Sequence, residues 1–265
     1  MLRRLLALFP FCTAALTAAP ALPAKPDLHL FLLAGQSNMA GRGSLQGLTA
    51  AEAAAHPRIL ALNTELAWQS AVDPLHWDKV GAGVGPGKFF ARVVADQSPG
   101  ATIGLIPSAC GGSPISAWEP GKYFEGTKSH PYDDALARAR RALQDGTLQA
   151  ILWHQGESDA NAQAAPLYEK RLEVLIARFR ADLGAPELPF ILGQLGQFPA
   201  KPWNAHQIEV DRAQRAVAAR VKKVSYVSSD GLVATRDNLH FETDALRVLG
   251  QRYAEAYLGL RSAKP

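Results

Sequence analysis

The chain has 265 residues, a formal net charge of +4 and 48% hydrophobic residues, a composition typical of a folded globular protein. It contains no basic run with interleaved aromatic residues, so nothing in the sequence indicates a nucleic-acid partner. Its only cysteines are Cys12 and Cys110, and loss of the first with a cleaved leader would exclude an intrachain disulfide.

The amino end has the pattern of a secretory signal peptide. Arg3 and Arg4 form a short positive region, and the residues up to Ala19 are mostly apolar or small. "AAPALPA" then offers cleavage points, so we expect the leader to span residues 1–24. The apolar stretch is too short, and too broken by Pro10, to span a bilayer. We therefore expect a secreted or periplasmic protein without stable membrane insertion, with an uncleaved anchor as the alternative.

Strand-like runs alternate with helical patterns along residues 25–265, which we expect to form one domain. Strands are predicted at residues 28–34, 59–63, 102–107, 150–154, 190–195 and 224–228, and helices at residues 88–97, 133–144, 165–183, 206–221 and 243–260. This alternation predicts an α/β fold with a parallel sheet covered on both faces. Before the first predicted helix, residues 41–87 form a long and largely irregular segment, which is typical of a functional wall or lid.

Polar residues gather where the predicted strands end. The groups are Gln36-Ser37-Asn38 after "LHLFLLA", residues 108–113 after "TIGLIP", Gln155-Gly156-Glu157-Ser158-Asp159 after "AILWH", and Asp237-Asn238-Leu239-His240 before the last helix. Ligands bind at the carboxyl ends of parallel strands. Because turns alone do not account for four such groups, we expect them to form one site.

These residue types suit acyl transfer by a nucleophilic serine. Ser37 is the candidate nucleophile, and His240 is the candidate base, because a neutral imidazole accepts the serine proton near neutral pH. Asp237, three residues earlier, is the candidate acid that orients the imidazole. Glu157 competes for that role, and it alternatively holds its own loop in place.

The oxyanion of acyl transfer requires hydrogen-bond donors. The candidates are the backbone N–H of Ser37, a backbone N–H at Gly112 and the side-chain amide of Gln155. His154, Glu157 and Asp159 include metal-ligating residue types, but they have no recognisable ligand spacing. We therefore expect neither a metal nor another cofactor.

Four segments resemble, in order, the four blocks of the SGNH hydrolase superfamily: "GQSNMAGRG", "CGGSPISAW", "WHQGESDA" and "DNLHF". Together with "GVGPGKFFA", they are similar to the branch of sialate O-acetylesterases and of carbohydrate esterase family six, the acetylxylan esterases. The resemblance implies a three-layer α/β/α sandwich with a mostly parallel five-stranded sheet, the flavodoxin-like SGNH hydrolase fold. It places Ser37, His240 and Gly112 at the nucleophile, base and oxyanion positions, and Gln155 where many members carry Asn.

The resemblance implies a serine esterase that hydrolyses O-acetyl esters on carbohydrates through an acetyl-enzyme intermediate. Asn38 and Trp118 are candidate substrate-binding residues, and Asn38 is also suited to hold the turn around Ser37. Trp118 and Trp77 are candidates for stacking on a sugar, with packing in the core or at the rim as the alternative. The competing functions are an SGNH lipase or thioesterase and a non-catalytic carbohydrate-binding scaffold.

Overall fold

The structure is a computed structural model that describes residues 20–262. Most of the predicted leader, residues 1–24, therefore lies outside the described residues. Within the described range, none of the helices combines the length and the apolar character needed to cross a membrane.

Seven strands form one sheet. They are β1 (Leu28–Gly35), β2 (Ile59–Leu62), β3 (Trp68–Ser70), β4 (Thr102–Pro107), β5 (Thr147–His154), β6 (Phe190–Gly193) and β7 (Val224–Val227). Their order across the sheet is β3-β2-β4-β1-β5-β6-β7. All neighbouring strands run parallel except β2 and β3, which pair antiparallel at one edge. The first strand of the chain therefore lies at the centre of the sheet.

Helices cover both faces of the sheet. They are α1 (Ser37–Ala40), α2 (Ala50–Ala53), α3 (Pro86–Gln97), α4 (Pro131–Ala142), α5 (Ala165–Asp182), α6 (Ala205–Arg220) and α7 (Thr243–Ser262). Successive side chains of a strand point to opposite faces. Accordingly, Phe31 and Leu33 of β1 pack with α3 and α7, whereas Leu30 and Leu32 pack with α4, α5 and α6. The result is a three-layer α/β/α sandwich with one apolar core on each side of the sheet.

This architecture confirms the predicted fold class, and all six predicted strands are present. The five long helices begin and end within two residues of their predicted bounds. The five-stranded sheet is wrong, because the sheet has seven strands. The strand that sequence reasoning missed is β3, inside the stretch read as irregular. It has only three residues, and Trp68 alone is buried among them, so no alternating pattern marks it.

Gly35 permits the close approach of β1 to β5 at the end of the strands. Its φ is 120°, and a Cβ at this position would lie 2.2 Å from the carbonyl oxygen of His154. Both the backbone conformation and the contact exclude a larger residue. The requirement comes from the backbone of the neighbouring strand, which cannot move aside without breaking the sheet.

We expect Gly35→Ala to lower the free energy of unfolding by at least about 2 kcal/mol, since it combines an unfavourable φ with a backbone overlap. Gly100→Ala is the matched control, because a Cβ there meets nothing within 4 Å. Urea unfolding of both variants measures the difference. Equal stability of the two would show that the β1 end does not depend on the missing Cβ.

Candidate active site

Ser37 is the first residue of α1, immediately after the turn that ends β1. The backbone N–H of Gln36 donates to the carbonyl oxygen of His154 over 2.8 Å, which fixes this turn against the end of β5. The Ser37 side chain is nearly buried, and its Oγ lies 2.9 Å from Nε2 of His240. The predicted nucleophile and base are therefore in hydrogen-bond contact.

Asp237 lies on the other side of the His240 ring. Its Oδ2 is 2.6 Å from Nδ1 of His240, and its Oδ1 accepts the backbone N–H groups of Leu239 and His240 at 2.8 and 3.0 Å. The Thr235 hydroxyl also donates to Oδ1. Partial burial opposes ionisation, but these hydrogen bonds outweigh it and hold the pKa of Asp237 well below its usual range. Asp237 therefore stays ionised and favours the His240 tautomer with its proton on Nδ1.

The three side chains thus form one hydrogen-bonded series from Asp237 to His240 to Ser37. With the proton on Nδ1, Nε2 is free to accept the hydroxyl proton of the serine as its oxygen attacks a carbonyl carbon. The positive imidazolium that results is stabilised by the carboxylate. This arrangement suits nucleophilic attack on an ester at neutral pH.

Two backbone N–H groups are available for an oxyanion. Among the described residues, neither the N–H of Ser37 nor that of Gly112 donates to a protein acceptor. Gly112 is exposed, with a φ of 82°, and its carbonyl oxygen accepts the Ser158 hydroxyl over 2.9 Å. Ser158 therefore holds the peptide chain at Gly112. These two predicted donors stay candidates for the oxyanion hole.

The prediction that Gln155 supplies an oxyanion donor is wrong for this structure. Its side chain is fully buried, and Nε2 already contacts Oδ2 of Asp159 at 2.6 Å, the Ser113 carbonyl at 3.1 Å and Oε1 of Gln36 at 3.2 Å. An amide nitrogen carries two hydrogens, and three protein acceptors surround them. The Gln155 amide therefore ties loops together and leaves no hydrogen for a substrate.

Asn38 is also occupied by the protein, so its predicted role in binding substrate is wrong. Its side chain is 1% exposed, and Nδ2 donates to Oε1 of Glu157 and to the Leu239 carbonyl oxygen at 2.6 and 3.1 Å. Its Oδ1 accepts the backbone N–H of Phe241. Asn38 is therefore hydrogen-bonded to the backbone on both sides of His240. Because Asn38 directly follows Ser37, these bonds fit the alternative prediction that it holds the chain around Ser37.

Glu157 makes no hydrogen bond to His240 among the described contacts, so Asp237 is the acid that orients the imidazole. The Glu157 side chain is largely buried, and burial raises its pKa despite the hydrogen bond from Asn38. Nearby, His154 is fully buried, which lowers its pKa to about 3 and keeps its ring neutral. A catalytic role for Glu157 is not supported, and its contact with Asn38 makes it a positioning residue.

The prediction that Trp118 binds substrate is wrong, and the alternative, packing in the core, is confirmed. Its side chain is fully buried, with its ring edge-on to Trp153 at 4.9 Å between centroids. Its indole N–H donates to the hydroxyl of Ser113 over 3.0 Å. Cys110 is buried as well, and burial raises its pKa to about 11, so its thiol is no rival nucleophile.

Sequence reasoning missed the residues that hold the oxyanion loop, which is the segment 108–113 that carries Gly112. Asp159 is fully buried, and its Oδ2 accepts both the Gln155 amide and the backbone N–H of Ile115. Ser158 contacts Gly112, as described above. Their only signal in the sequence is their place after β5, since the contacts reach residues far apart along the chain. Within residues 20–262, no group of His, Cys, Asp and Glu side chains has the arrangement of a metal site.

Comparison with known proteins agrees with this geometry. The family profile described as "Carbohydrate esterase, sialic acid-specific acetylesterase" matches residues 27–259. The chain belongs to this family.

A probable carbohydrate esterase of Arabidopsis thaliana is 36% identical over 252 residues, which cover 88% of this chain and 91% of the relative. A crystal structure of an Arabidopsis thaliana protein aligns with a TM-score of 0.77 at 34% identity, covering 88% of this chain and 98% of that one. A carbohydrate acetylesterase from Xanthomonas citri shares the fold at 23% identity, with a TM-score of 0.69, covering 90% of this chain and 57% of that one. The SGNH-like fold and the class of carbohydrate acetylesterase are therefore shown for this chain.

We expect Asp237→Asn to reduce kcat by up to about 10⁴, as in Ser-His-Asp proteases, because the amide favours the wrong tautomer of His240. Glu157→Gln should cost much less, since its amide oxygen still accepts from Asn38. Both variants are compared on one acetyl ester after circular dichroism shows that they are folded. An inactive Glu157→Gln beside an active Asp237→Asn would reverse the assignment.

Proposed function

We propose that this member of the family is an exported serine esterase that removes O-acetyl groups from a carbohydrate. Ser37 attacks the acetyl carbonyl carbon, and His240 accepts the hydroxyl proton. His240 then donates that proton to the leaving sugar oxygen, which leaves an acetyl group on Ser37. A water molecule, deprotonated by His240, hydrolyses this ester and restores the enzyme.

The observation that carries the proposal is the unbroken series of hydrogen bonds from Asp237 through His240 to Ser37. The backbone N–H groups of Ser37 and Gly112, which have no protein acceptor among the described residues, are the candidates for the second element that acyl transfer needs, which is stabilisation of the negative oxygen. Export is supported by the signal-like pattern of residues 1–24, which carries positive residues followed by an apolar region.

A lipase or thioesterase acting on long acyl chains is the competing enzyme. Next to the oxyanion glycine, the backbone N–H of Gly111 donates to Oδ2 of Asp78 over 2.8 Å, and Asp78 is paired with Arg42 at 2.7 Å. An ion pair at this place is an unfavourable neighbour for an apolar chain. It supports a short acyl group rather than a long one.

We expect Ser37→Ala to abolish turnover and to leave the fold unchanged, because the side chain is small and the substitution removes only the attacking oxygen. Acetate release and the melting temperature are measured together. A variant with near wild-type turnover would contradict the serine mechanism. A wild-type protein that binds acetylated glycans but releases no acetate would instead favour the non-catalytic scaffold.

The acyl preference should be short. We expect kcat/KM to fall from 4-nitrophenyl acetate to the butyrate and to be lowest for the octanoate, because the polar pair beside Gly111 does not accept an apolar chain. The comparison uses the same leaving group throughout, so only the acyl group changes. Equal kcat/KM on the octanoate would support the lipase-like alternative.

A further inference from the structure

A small cavity of about 120 Å³ adjoins the loop that carries the oxyanion glycine. Its lining includes His76, Trp77, Ser108, Cys110, Asp134 and Arg138. The lining segment 108–110 leads directly into Gly111 and Gly112, and the Cys110 N–H donates to the carbonyl oxygen of Gly35 over 2.8 Å. One wall of the cavity is therefore hydrogen-bonded to the strand end that precedes Ser37.

Trp77 presents a half-exposed aromatic surface on this cavity, with Arg138 packed over one face of its ring. Its side chain is 47% exposed, and the guanidinium of Arg138 lies 4.6 Å from the centre of its ring. Arg138 itself is buried, and its N–H groups are satisfied by three backbone carbonyl oxygens, those of Leu62, Asn63 and Pro107. An indole fixed in this way loses little entropy when a ligand stacks on it.

Polar groups without partners lie in the same lining. The His76 side chain is 4% exposed, and among the described residues its only hydrogen-bonding neighbour is the Leu33 carbonyl oxygen, which leaves one ring nitrogen without a partner. The hydroxyl of Ser108 is also unpartnered within this part of the chain. Burial lowers the pKa of His76 to about 4, so the ring is neutral; its N–H faces the Leu33 carbonyl oxygen, and the other nitrogen is an acceptor. An unpaired buried polar group is unfavourable. Sugar hydroxyls both donate and accept, and they match these groups, whereas an apolar acyl chain does not.

We propose that this cavity binds a neutral sugar ring of the substrate, with Trp77 stacking on the ring and His76 and Ser108 contacting its hydroxyls. The inference rests on the proposed function and specifies the kind of carbohydrate. The only arginine or lysine among the described lining residues is Arg138, and backbone carbonyls already occupy its N–H groups. The exposed carboxylate of Asp134 disfavours a negatively charged sugar.

Two features outside the cavity define the alternatives. Trp203 lines a separate cleft with Phe198, which packs against Phe241 beside His240, but the Trp203 indole N–H already donates to the Gly196 carbonyl. Lys79 is exposed beside Gly112, and its Nζ lies 3.5 Å from where a Cβ of Gly112 would be. A sugar bound in the Trp203 cleft would lie outside the proposed cavity, whereas a contact with Lys79 would favour an acidic sugar.

The test compares a sugar ester with an ester that has no sugar. Kinetics are measured on an O-acetylated xylo-oligosaccharide and on 4-nitrophenyl acetate for the wild type, Trp77→Ala, Trp77→Phe and Trp203→Ala. We expect Trp77→Ala to raise KM for the xylo-oligosaccharide by about tenfold, the scale of one aromatic stacking contact, with kcat nearly unchanged. Trp77→Phe should restore part of the loss. Trp203→Ala should behave as the wild type, and every variant should act normally on 4-nitrophenyl acetate.

Several results would overturn the inference. An equal loss on both substrates in Trp77→Ala would make Trp77 structural, and a selective loss in Trp203→Ala alone would place the sugar in the other cleft. Faster acetate release from an O-acetylated sialate than from the xylo-oligosaccharide, with that preference lost in Lys79→Gln, would show an acidic sugar instead.

A binding measurement separates this inference from the proposed function. Calorimetric titration of Ser37→Ala with unacetylated xylotetraose should show binding that the added Trp77→Ala substitution weakens. Absence of that binding would overturn the subsite even if the esterase activity is present. Conversely, an active Ser37→Ala would contradict the serine mechanism while the titration still decides whether the cavity binds a neutral sugar.

Discussion

The hydrogen bond from the Gln36 backbone N–H to the His154 carbonyl oxygen joins the ends of the two central strands, β1 and β5. It forms only because Gly35, with no Cβ, allows the two backbones to meet. This contact brings together two of the loops that form the site, since the loop after β1 carries the nucleophile and the loop after β5 carries the residues that organise its surroundings. A Cβ at position 35 would overlap the His154 carbonyl group and push the two loops apart.

The loop after β5 organises the site without contributing a reactive atom. Oε1 of Gln36 contacts the backbone N–H of Ser158 at 3.3 Å, and the Ser158 hydroxyl in turn holds the Gly112 carbonyl. Asp159 reaches from the same loop to the backbone N–H of Ile115, beyond Gly112. The oxyanion loop is therefore fastened on both sides of its glycine. Burial raises the pKa of Asp159, while the hydrogen bonds from Gln155 and Ile115 oppose that rise, as expected for a carboxyl group surrounded by protein donors.

Two carboxyl groups near the nucleophile differ because their surroundings differ. The Asp237 side chain is half exposed and accepts several hydrogen bonds, which favour its charged form. The Glu157 side chain is mostly buried, which disfavours the charge, and its contact is with Asn38 rather than with His240. Asn38 connects the two environments, because it binds Glu157 and also the backbone on either side of His240. The ionised acid orients the base directly, whereas the buried one supports the residue that positions it.

The sequence by itself determined the features that depend on local pattern. The apolar run at β1, the helical spacing of α7 and the D-x-x-H spacing of Asp237 and His240 were all readable, because strand burial, helix periodicity and a three-residue turn are local properties. Only the tertiary structure decided which polar side chains remain free. Trp118 and Gln155 have suitable chemistry, yet both are fully buried by distant segments. Trp118 packs against Trp153 of β5, and the Gln155 amide is hydrogen-bonded to Gln36 and to the Ser113 carbonyl oxygen. The short edge strand β3 was hidden for a similar reason, since its pairing partner, not its own sequence, makes it a strand. Burial and hydrogen-bond partners depend on residues brought together from far along the chain, and no spacing within one segment encodes them.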